Sequence, residues 1–241
     1  MVNFAHRGDS INYPENTIKS FKEAINKGAT GIELDVHKTI DNKLVVIHDE
    51  KVDRTYLGRG FIKEYTYDAL KKLPIRDVNF REDNECYIPL LEEVLDLLKD
   101  KDLILNIEIK NDKVDYTNIE EDVINMLKEY NMLDNVVISS FNHNTLLKCK
   151  EIEPNIKTGL LYAKYIKDIV KYSKKYKVDA LHPSIFLVNE DYIRKAHENE
   201  LAVNVYTVNM PELMKALIDW GIDGIITDSP EVLNSVKNKW I

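Results

Sequence analysis

The sequence predicts an α/β protein with a (β/α)8 TIM barrel, and three observations lead to this fold. Short β-rich runs alternate with helical patterns along most of the 241 residues. From Leu103 onward these runs begin at intervals of roughly 20 to 30 residues, the length of a strand with its crossover helix. No glycine-rich turn follows an early strand, although an open doubly wound sheet, the structural alternative, would require one.

The strand count favours a barrel once one hairpin is recognised. Nine strands are predicted, at Val2–His6, Gly31–His37, Leu44–His48, Leu103–Lys110, Asn135–Ser140, Lys157–Tyr162, Ala180–Pro183, Ala202–Val208 and Gly224–Thr227. Only about six residues separate the second from the third, too few for a parallel crossover. These two are therefore predicted to form an antiparallel hairpin that turns at Asp41 and Asn42. This turn would place His48 opposite Asp35 and would leave eight parallel strands.

Helix boundaries follow from proline, glycine and capping residues. Pro14 is predicted at the first position of a helix. The helix Pro211–Trp220 begins with proline and ends before Gly221, which suits the left-handed residue after a helix. Asp228 or Ser229 is predicted to cap the last helix.

A single barrel domain is expected over residues 1–241, with a small insertion at 49–89 over the barrel mouth. The insertion is too long for an ordinary strand-to-helix loop, and it contains a short predicted helix at Tyr67–Leu73. Two interpretations remain open: a structural loop with its own small core, or a lid that covers substrate.

Charge and composition exclude several classes of protein. The 41 acidic residues exceed the 33 basic ones, giving a net charge of −8, so no nucleic-acid partner is expected. No apolar run is long enough to span a membrane, and no secretory leader pattern begins the sequence. Cys86 and Cys149 form no metal motif and are interpreted as free thiols in a reducing cytoplasm. The oligomeric state is not evident from the sequence.

Acidic residues cluster where a barrel keeps its working groups, at the C-terminal ends of strands. Glu33 and Asp35 point to the same side of the second strand, and Glu108 lies near the end of the next parallel strand. Three carboxylates held together repel one another unless a cation compensates them. All-oxygen ligands favour Mg²⁺ or Ca²⁺. The alternative is that each acid forms a separate ion pair with Arg or Lys.

Two histidines and two basic residues border this acidic cluster. His6 and His48 are candidate proton-transfer groups because imidazole titrates near neutral pH. Arg7 and Lys110 are candidate phosphate contacts, or else they balance the charge of the carboxylates. A divalent metal, two imidazoles and two cations suit displacement at phosphorus.

The motifs at these positions carry a family resemblance that runs over almost the whole chain. The stretches are AHRGDSINYPENT at 5–17, GIELDVHKTIDNKLVVIHDE at 31–50, IPLLEEVL at 88–95, NIEIK at 106–110, ISSFN at 138–142, VNVYTVN at 203–209 and GIDGIITDSP at 221–230. In these stretches the sequence resembles the glycerophosphodiester phosphodiesterase family. The first two motifs in this order, followed by the later Glu-Lys pair, are highly specific.

The resemblance implies a fold, an activity and a set of roles. It implies a (β/α)8 barrel that hydrolyses glycerophosphodiesters, such as glycerophosphocholine or glycerophosphoethanolamine, to glycerol 3-phosphate and an alcohol. By matching position, Glu33, Asp35 and Glu108 would be metal ligands, His6 and His48 the acid/base pair, and Arg7 and Lys110 phosphate contacts. The family often uses the substrate's glycerol hydroxyl as the first nucleophile, which gives a cyclic phosphate.

Other positions are expected to support the site or the fold. Tyr206 stands where many family members have tryptophan, and it is expected with Phe141 to form an apolar wall for the substrate. Glu15 and Asn16 match the family pattern but could equally serve as capping residues. His182 is expected to be structural.

Alternative functions stay open from sequence alone. A lysophospholipase D of the same barrel would require an exposed apolar rim or an amphipathic surface helix. A non-catalytic phosphate-binding barrel would be expected to lack one of the key residues, yet all seven are present. A phosphosugar isomerase of this fold would have no evident use for three metal-binding carboxylates. The sequence does not indicate the headgroup, the choice between Mg²⁺ and Ca²⁺, or which histidine is the acid.

Overall fold

Eight parallel strands close into a barrel in the computed structural model of the chain, which describes residues 1–239. The strands are β1 (Val2–His6), β2 (Gly31–Lys38), β4 (Ile104–Ile109), β5 (Val136–Ser140), β6 (Lys157–Tyr162), β7 (Ala180–Pro183), β8 (Ala202–Val205) and β9 (Gly224–Thr227). Parallel neighbours follow the order β1-β9-β8-β7-β6-β5-β4-β2, and β1 pairs with β2 to complete the ring. The predicted (β/α)8 barrel is confirmed.

Helices lie between successive strands and after the last one, and all except the short helix of the insertion pack around the barrel. They are α1 (Ile18–Asn26), α2 (Tyr67–Leu70), α3 (Leu91–Leu98), α4 (Ile119–Glu129), α5 (His143–Ile152), α6 (Ile169–Tyr176), α7 (Glu190–His197), α8 (Pro211–Asp219) and α9 (Pro230–Lys239). Alternate residues of β2, such as Ile32 and Leu34, join helix residues such as Phe21 and Leu91 in the main hydrophobic core. The other face of β2 is thereby left for Glu33 and Asp35 inside the barrel.

The ninth strand, β3 (Leu44–Val46), is antiparallel and pairs with the end of β2, as predicted. Its predicted register is wrong by one residue, because Val36 rather than His37 lies opposite Val46. The turn contains an odd number of residues: the Thr39 amide donates to the Lys43 carbonyl, and Asn42 adopts a left-handed φ of 60°. His48 therefore lies beyond β3 and not opposite Asp35, whose carbonyl accepts from the Ile47 amide.

The start of α1 also differs from the prediction. Pro14 is not the first helical residue, because Thr17 caps the helix and α1 begins at Ile18. The Thr17 hydroxyl accepts from the Ser20 amide, and the Ser20 hydroxyl in turn accepts from the Thr17 amide. The residues between β1 and Thr17 are consequently loop residues, free to turn toward the barrel mouth.

Proline and glycine mark the ends of α8 close to their predicted positions, whereas the strands predicted to end at His48 and Val208 end earlier, at Val46 and Val205. Pro211 begins α8, and Gly221 follows the helix with a left-handed φ of 77°. Cys86 and Cys149 are buried free thiols. Among the described residues, no helix is both long and apolar enough to cross a bilayer.

The insertion at 49–89 has a small hydrophobic core of its own. Val52, Tyr56, Ile62 and Leu70 are buried together with Ile47 of the segment after β3. The predicted helix in this segment is present but shorter, because α2 ends at Leu70. The segment is thus built as a packed unit and not as an open loop.

The barrel interior depends on a glycine in β6. A Cβ atom on Gly159 would overlap the imidazole of His182, which is fully buried on β7. We expect Gly159→Ala to lower the free energy of unfolding by about 3 kcal/mol, since overpacking of a closed barrel cannot relax easily. Gly221→Ala is the matched control and should cost only about 1 kcal/mol, because its left-handed backbone is strained but nothing lies within 4 Å of the added Cβ. Urea unfolding followed by circular dichroism measures both, and equal losses would contradict this account.

Candidate active site

Strand register brings the three predicted acidic residues together at the C-terminal end of the barrel. In the β1–β2 pair His6 lies opposite Glu33, and in the β2–β4 pair Asp35 lies opposite Glu108. One carboxylate oxygen from each of Glu33, Asp35 and Glu108 lies within 4.8 Å of the others, and all three side chains are buried. The grouping expected from the sequence is therefore present.

These carboxylates do not ionise equally. Burial, followed by repulsion from Asp35, raises the pKa of Glu33 well above its usual value. Burial likewise raises the pKa of Glu108 to about 7, against the opposing attraction of Lys110. Burial also opposes ionisation of Asp35, but Arg7 and Lys110 outweigh it and hold the pKa of that carboxyl well below normal. Asp35 is therefore ionised, whereas ionisation of Glu33 and Glu108 is unfavourable unless a further positive charge compensates it.

The donor atoms of this cluster fit a hard divalent cation. Asp35 Oδ2 accepts from the Asn16 amide at 2.8 Å, but its buried Oδ1 has no hydrogen-bond partner. Lys110 Nζ is 3.8 Å from that oxygen, beyond hydrogen-bond distance. Asn106 lies two residues before Glu108 on the same face of β4 and opposite Glu33, and its buried Oδ1 is also without a partner. Unpartnered oxygens beside carboxylates suit Mg²⁺ or Ca²⁺ rather than a metal that prefers sulfur or nitrogen.

His48 is held in one orientation from three directions. Its Nδ1 donates to Asp49 Oδ1 at 2.6 Å, and its Nε2 lies 3.3 Å from Lys110 Nζ. Because an ammonium group only donates, this Nε2 is an acceptor and the ring is neutral in this arrangement. The neutral His37 ring fixes the backbone of His48, with Nε2 donating to its carbonyl at 3.1 Å. Burial lowers the pKa of His37 to about 4 and also lowers that of His48.

His6 has a carboxylate partner that the sequence did not reveal. Asp228, expected as a helix cap, accepts from His6 Nδ1 at 2.6 Å. Ser10 and Asn209 also donate to this carboxylate. Burial opposes ionisation of Asp228, but these hydrogen bonds, led by that from His6, hold its pKa at about 2. Asp228 belongs to one of the family motifs, but it lies 222 residues from His6 in the sequence. The spacing of the motifs therefore does not predict this contact.

Arg7 directly follows His6 and contacts two members of the acidic cluster, Glu33 and Asp35. Its backbone adopts a left-handed φ of 58°, and its amide donates to the Glu33 side chain at 3.0 Å. The guanidinium donates to Glu15 at 3.0 Å and lies 3.4 Å from Asp35. These acids outweigh the burial that would lower the pKa of Arg7, which is therefore raised.

Glu15 and Asn16, for which a capping role was the alternative, contact the charged residues of the site. Neither caps α1, since Thr17 does so. Asn16 donates to Asp35, and Glu15 accepts from both Arg7 and Arg54. They therefore orient the charged residues of the site.

A cavity of about 170 Å³ at the barrel mouth is lined by both histidines, Arg7, Glu33 and Glu108, while Asp35 and Lys110 contact this lining without bordering the cavity themselves. Phe141 and Tyr206 form one wall, with ring centroids 6.1 Å apart in an edge-to-face contact. Lys110 donates to Glu108 at 2.7 Å and lies over the Phe141 ring. His182 is buried and bonded to Asn204 instead, as expected for a structural residue.

Comparison with known proteins agrees with this geometry. The sequence model of the glycerophosphoryl diester phosphodiesterase family matches residues 6–232. The chain belongs to this family. A glycerophosphodiester phosphodiesterase from Caldanaerobacter subterraneus subsp. tengcongensis is 45% identical over 236 residues, covering 98% of this chain and 97% of the relative. The predicted family membership and assignment as a phosphodiesterase enzyme are confirmed.

Solved phosphodiesterase structures share the fold. A phosphodiesterase from Oleispira antarctica, in complex with sn-glycerol-3-phosphate, superposes with a TM-score of 0.88 at 26% identity, covering 98% of this chain and 96% of that one. A glycerophosphodiester phosphodiesterase from Thermotoga maritima has a TM-score of 0.79 at 31% identity, covering 99% of this chain and 98% of that one.

The raised pKa values of Glu33 and Glu108 predict that metal stabilises the protein more at high pH. Between about pH 4.5 and 7 the folded, metal-free protein retains a Glu108 proton that the unfolded chain releases, so this group's contribution to stability is lost as the pH rises through about 7. A bound cation replaces that proton. We expect saturating Mg²⁺ or Ca²⁺ to raise Tm by roughly 5 to 10 °C at about pH 8 and by much less at about pH 5.5.

Differential scanning fluorimetry with and without metal measures this effect. Glu108→Gln should abolish most of the increment at both pH values. Glu120→Gln, which alters another buried glutamate paired with Lys148, should retain the wild-type response. A wild-type increment that is independent of pH would contradict the assignment of Glu33 and Glu108.

Proposed function

We propose that this chain hydrolyses glycerophosphodiesters to glycerol 3-phosphate and an alcohol, using a divalent cation, Mg²⁺ or Ca²⁺, and a pair of histidines. The observation that carries the proposal is one cavity lined by both histidines, Arg7 and two of the three clustered carboxylates. The third carboxylate, Asp35, has an oxygen within 4.8 Å of those two, and Lys110 donates to Glu108 and lies beside His48. Membership of the family and the product named in the Oleispira antarctica structure support the same substrate class.

His48 suits the role of general base. Its Nε2 lone pair faces Lys110 and the cavity, while Asp49 accepts the Nδ1 proton and fixes the tautomer. A neutral imidazole held this way accepts the proton of the attacking hydroxyl, and Asp49 then stabilises the imidazolium.

His6 suits the role of general acid. The Asp228 carboxylate accepts from its Nδ1 and fixes the ring, so the ring's other nitrogen is left for the leaving oxygen. The attacking oxygen forms its bond to phosphorus as the bond to the alcohol breaks, and the leaving alkoxide takes the His6 proton. When the attacking hydroxyl is that of the glycerol moiety, water then opens the cyclic phosphate: His6 takes the water proton and His48 returns its proton to the departing glycerol oxygen. One water is thus consumed, and both rings regain their starting protonation.

Positive charge for the phosphoryl group comes from Arg7, from Lys110 and from the cation that the acidic cluster would hold. A cation held by Glu33, Asp35 and Glu108 would neutralise the phosphoryl oxygens and make phosphorus more electrophilic. The Arg7 guanidinium and the Lys110 ammonium supply hydrogen bonds to the same oxygens, since both are already fixed against Asp35.

Phe141 and Tyr206 are proposed to hold the glycerol end of the substrate. The buried Tyr206 hydroxyl has no hydrogen-bond partner in the described chain, and its ring lines the cavity. A glycerol hydroxyl would satisfy it while the carbon backbone packs on the rings.

We regard residues 1–241 as one catalytic domain in which the 49–89 insertion covers part of the mouth, because Arg54 of the insertion bonds both Glu15 and Asp49. The two buried, unpaired thiols are compatible with a reducing cytoplasm.

A substrate panel tests the proposed reaction. Chelator-treated enzyme should be inactive on glycerophosphocholine and glycerophosphoethanolamine, and Mg²⁺ or Ca²⁺ should restore release of glycerol 3-phosphate. A lysophospholipid in the same panel tests the lysophospholipase D alternative and should be turned over more slowly. Full activity of the metal-free enzyme, or turnover of the lysophospholipid alone, would refute the proposal.

Single substitutions of the histidines separate proton transfer from metal binding. His48→Ala and His6→Ala should each lower kcat by roughly 10²- to 10⁴-fold while the metal-induced rise in Tm persists. Asp228→Asn should lower kcat less and mainly reshape the pH profile, because His6 remains. The matched control is His197→Ala, which removes another histidine–aspartate pair, with Asp223, outside the site. Normal turnover by either active-site histidine variant would contradict the assigned roles.

A further inference from the structure

Exposed apolar side chains collect at the end of the barrel that carries the active site. Among residues 1–239, the exposed large apolar residues are Met1, Ile11, Ile40, Leu57, Val78, Phe141, Tyr165, Phe186, Met210 and Leu213. All except Met1 lie in segments that follow the C-terminal end of a strand or in the first turn of the next helix. Tyr165 and Phe186 protrude furthest, at 81% and 93% exposure. Such a one-sided distribution is typical of an interaction surface rather than of scattered surface residues.

A lysine-rich segment borders these two rings. Residues 164–177 contain six lysines and a single acidic residue, Asp168, in a chain whose net charge is −8. All six lysines are exposed, and none has a carboxylate partner in the part of the chain that the structure describes. These lysines are Lys164, Lys167, Lys171, Lys174, Lys175 and Lys177. The patch therefore presents uncompensated positive charge to solvent.

The rings and the lysines nearest the barrel mouth share one location. Because β6 and β7 are neighbours in the barrel, the loop with Tyr165 and the 3-10 helix with Phe186 emerge side by side. Tyr165 and Leu187 line the same apolar cavity of about 330 Å³, on the outer side of the barrel and separate from the catalytic cavity. We define the lysine-aromatic surface as Lys164, Tyr165, Lys167 and Phe186.

We propose that the lysine-aromatic surface docks the barrel mouth onto an anionic lipid bilayer. Lysines are attracted by anionic headgroups, and exposed aromatic rings insert at the boundary between headgroup and acyl chain. The aliphatic neighbours at this end, such as Ile11 and Met210, also suit lipid, whereas they offer no stacking surface to nucleic-acid bases. The excess of acid elsewhere in the chain would repel the same bilayer and so orient the barrel with its mouth toward the lipid.

This docking goes beyond the proposed hydrolysis and does not depend on it. Phe141, which lines the catalytic cavity, lies on the same end of the barrel. A docked enzyme would therefore open its active site toward the lipid surface. Binding can be measured without substrate and without metal, so a failure of docking would leave the phosphodiesterase assignment intact.

Vesicle co-sedimentation tests the electrostatic part. The wild-type chain should sediment with vesicles of phosphatidylglycerol and phosphatidylcholine at low salt, and remain in solution with phosphatidylcholine alone. The double variant Lys164→Gln/Lys167→Gln should partition roughly 30-fold more weakly. The matched control Lys101→Gln/Lys239→Gln, two exposed lysines at the opposite end of the barrel, should bind like the wild type. No wild-type binding, equal binding to neutral vesicles, or equal loss in the control would overturn the proposal.

Insertion of the rings is tested by fluorescence and by polar replacement. Phe186→Trp should show a blue-shifted emission with anionic vesicles, after subtraction of the wild-type tryptophan signal. Tyr165→Ser/Phe186→Ser should weaken vesicle binding by more than about tenfold while leaving turnover of soluble glycerophosphocholine unchanged. An unshifted emission would contradict insertion of the rings into the bilayer. Dimerisation in solution that Tyr165→Ser/Phe186→Ser abolishes would show that the surface binds a second copy of the chain instead.

Discussion

The arrangement of this active site depends on one buried charge, the carboxylate of Asp35. It lies fully buried in β2, where ionisation is unfavourable unless cations compensate it. Arg7 and Lys110 provide that compensation from neighbouring strands, and Asn16 donates the hydrogen bond that fixes one oxygen. The same two cations are the proposed phosphate contacts, so the charges that stabilise Asp35 also prepare the site for its substrate.

Glu33 and Glu108 extend this network toward a metal site. Each lies close to Asp35, and burial together with its negative charge raises both of their pKa values. In the metal-free protein, protonation of these two carboxyl groups therefore competes with cation binding at the cluster. The histidines lie outside this competition because each has its own carboxylate, Asp228 for His6 and Asp49 for His48. The separation allows proton transfer and charge neutralisation to be fixed by different residues around one cavity.

Much of this could be predicted from sequence, because parallel strands in a barrel place their C-terminal ends together. Residue alternation in β2 was sufficient to group Glu33 with Asp35, and β4 is the next parallel strand. The hairpin register was missed by one residue because the odd-numbered turn depends on the left-handed backbone of Asn42. Asp228 was missed because its contact with His6 joins the two ends of the chain when β1 pairs with β9. The sequence also left the role of Asn16 open, because a capping residue and a site residue are equally compatible with its position. In the structure Thr17 is the cap, and Asn16 donates to Asp35.

Calorimetric titration of metal into metal-free protein tests the central claim most directly, namely that the three buried carboxylates form one cation site. Titrations near pH 6 in two buffers with different ionisation enthalpies report both stoichiometry and proton release. The account predicts one Mg²⁺ or Ca²⁺ per chain and release of at least about one proton per ion, because Glu33 and Glu108 must ionise. Absence of binding, or binding without proton release, would contradict it.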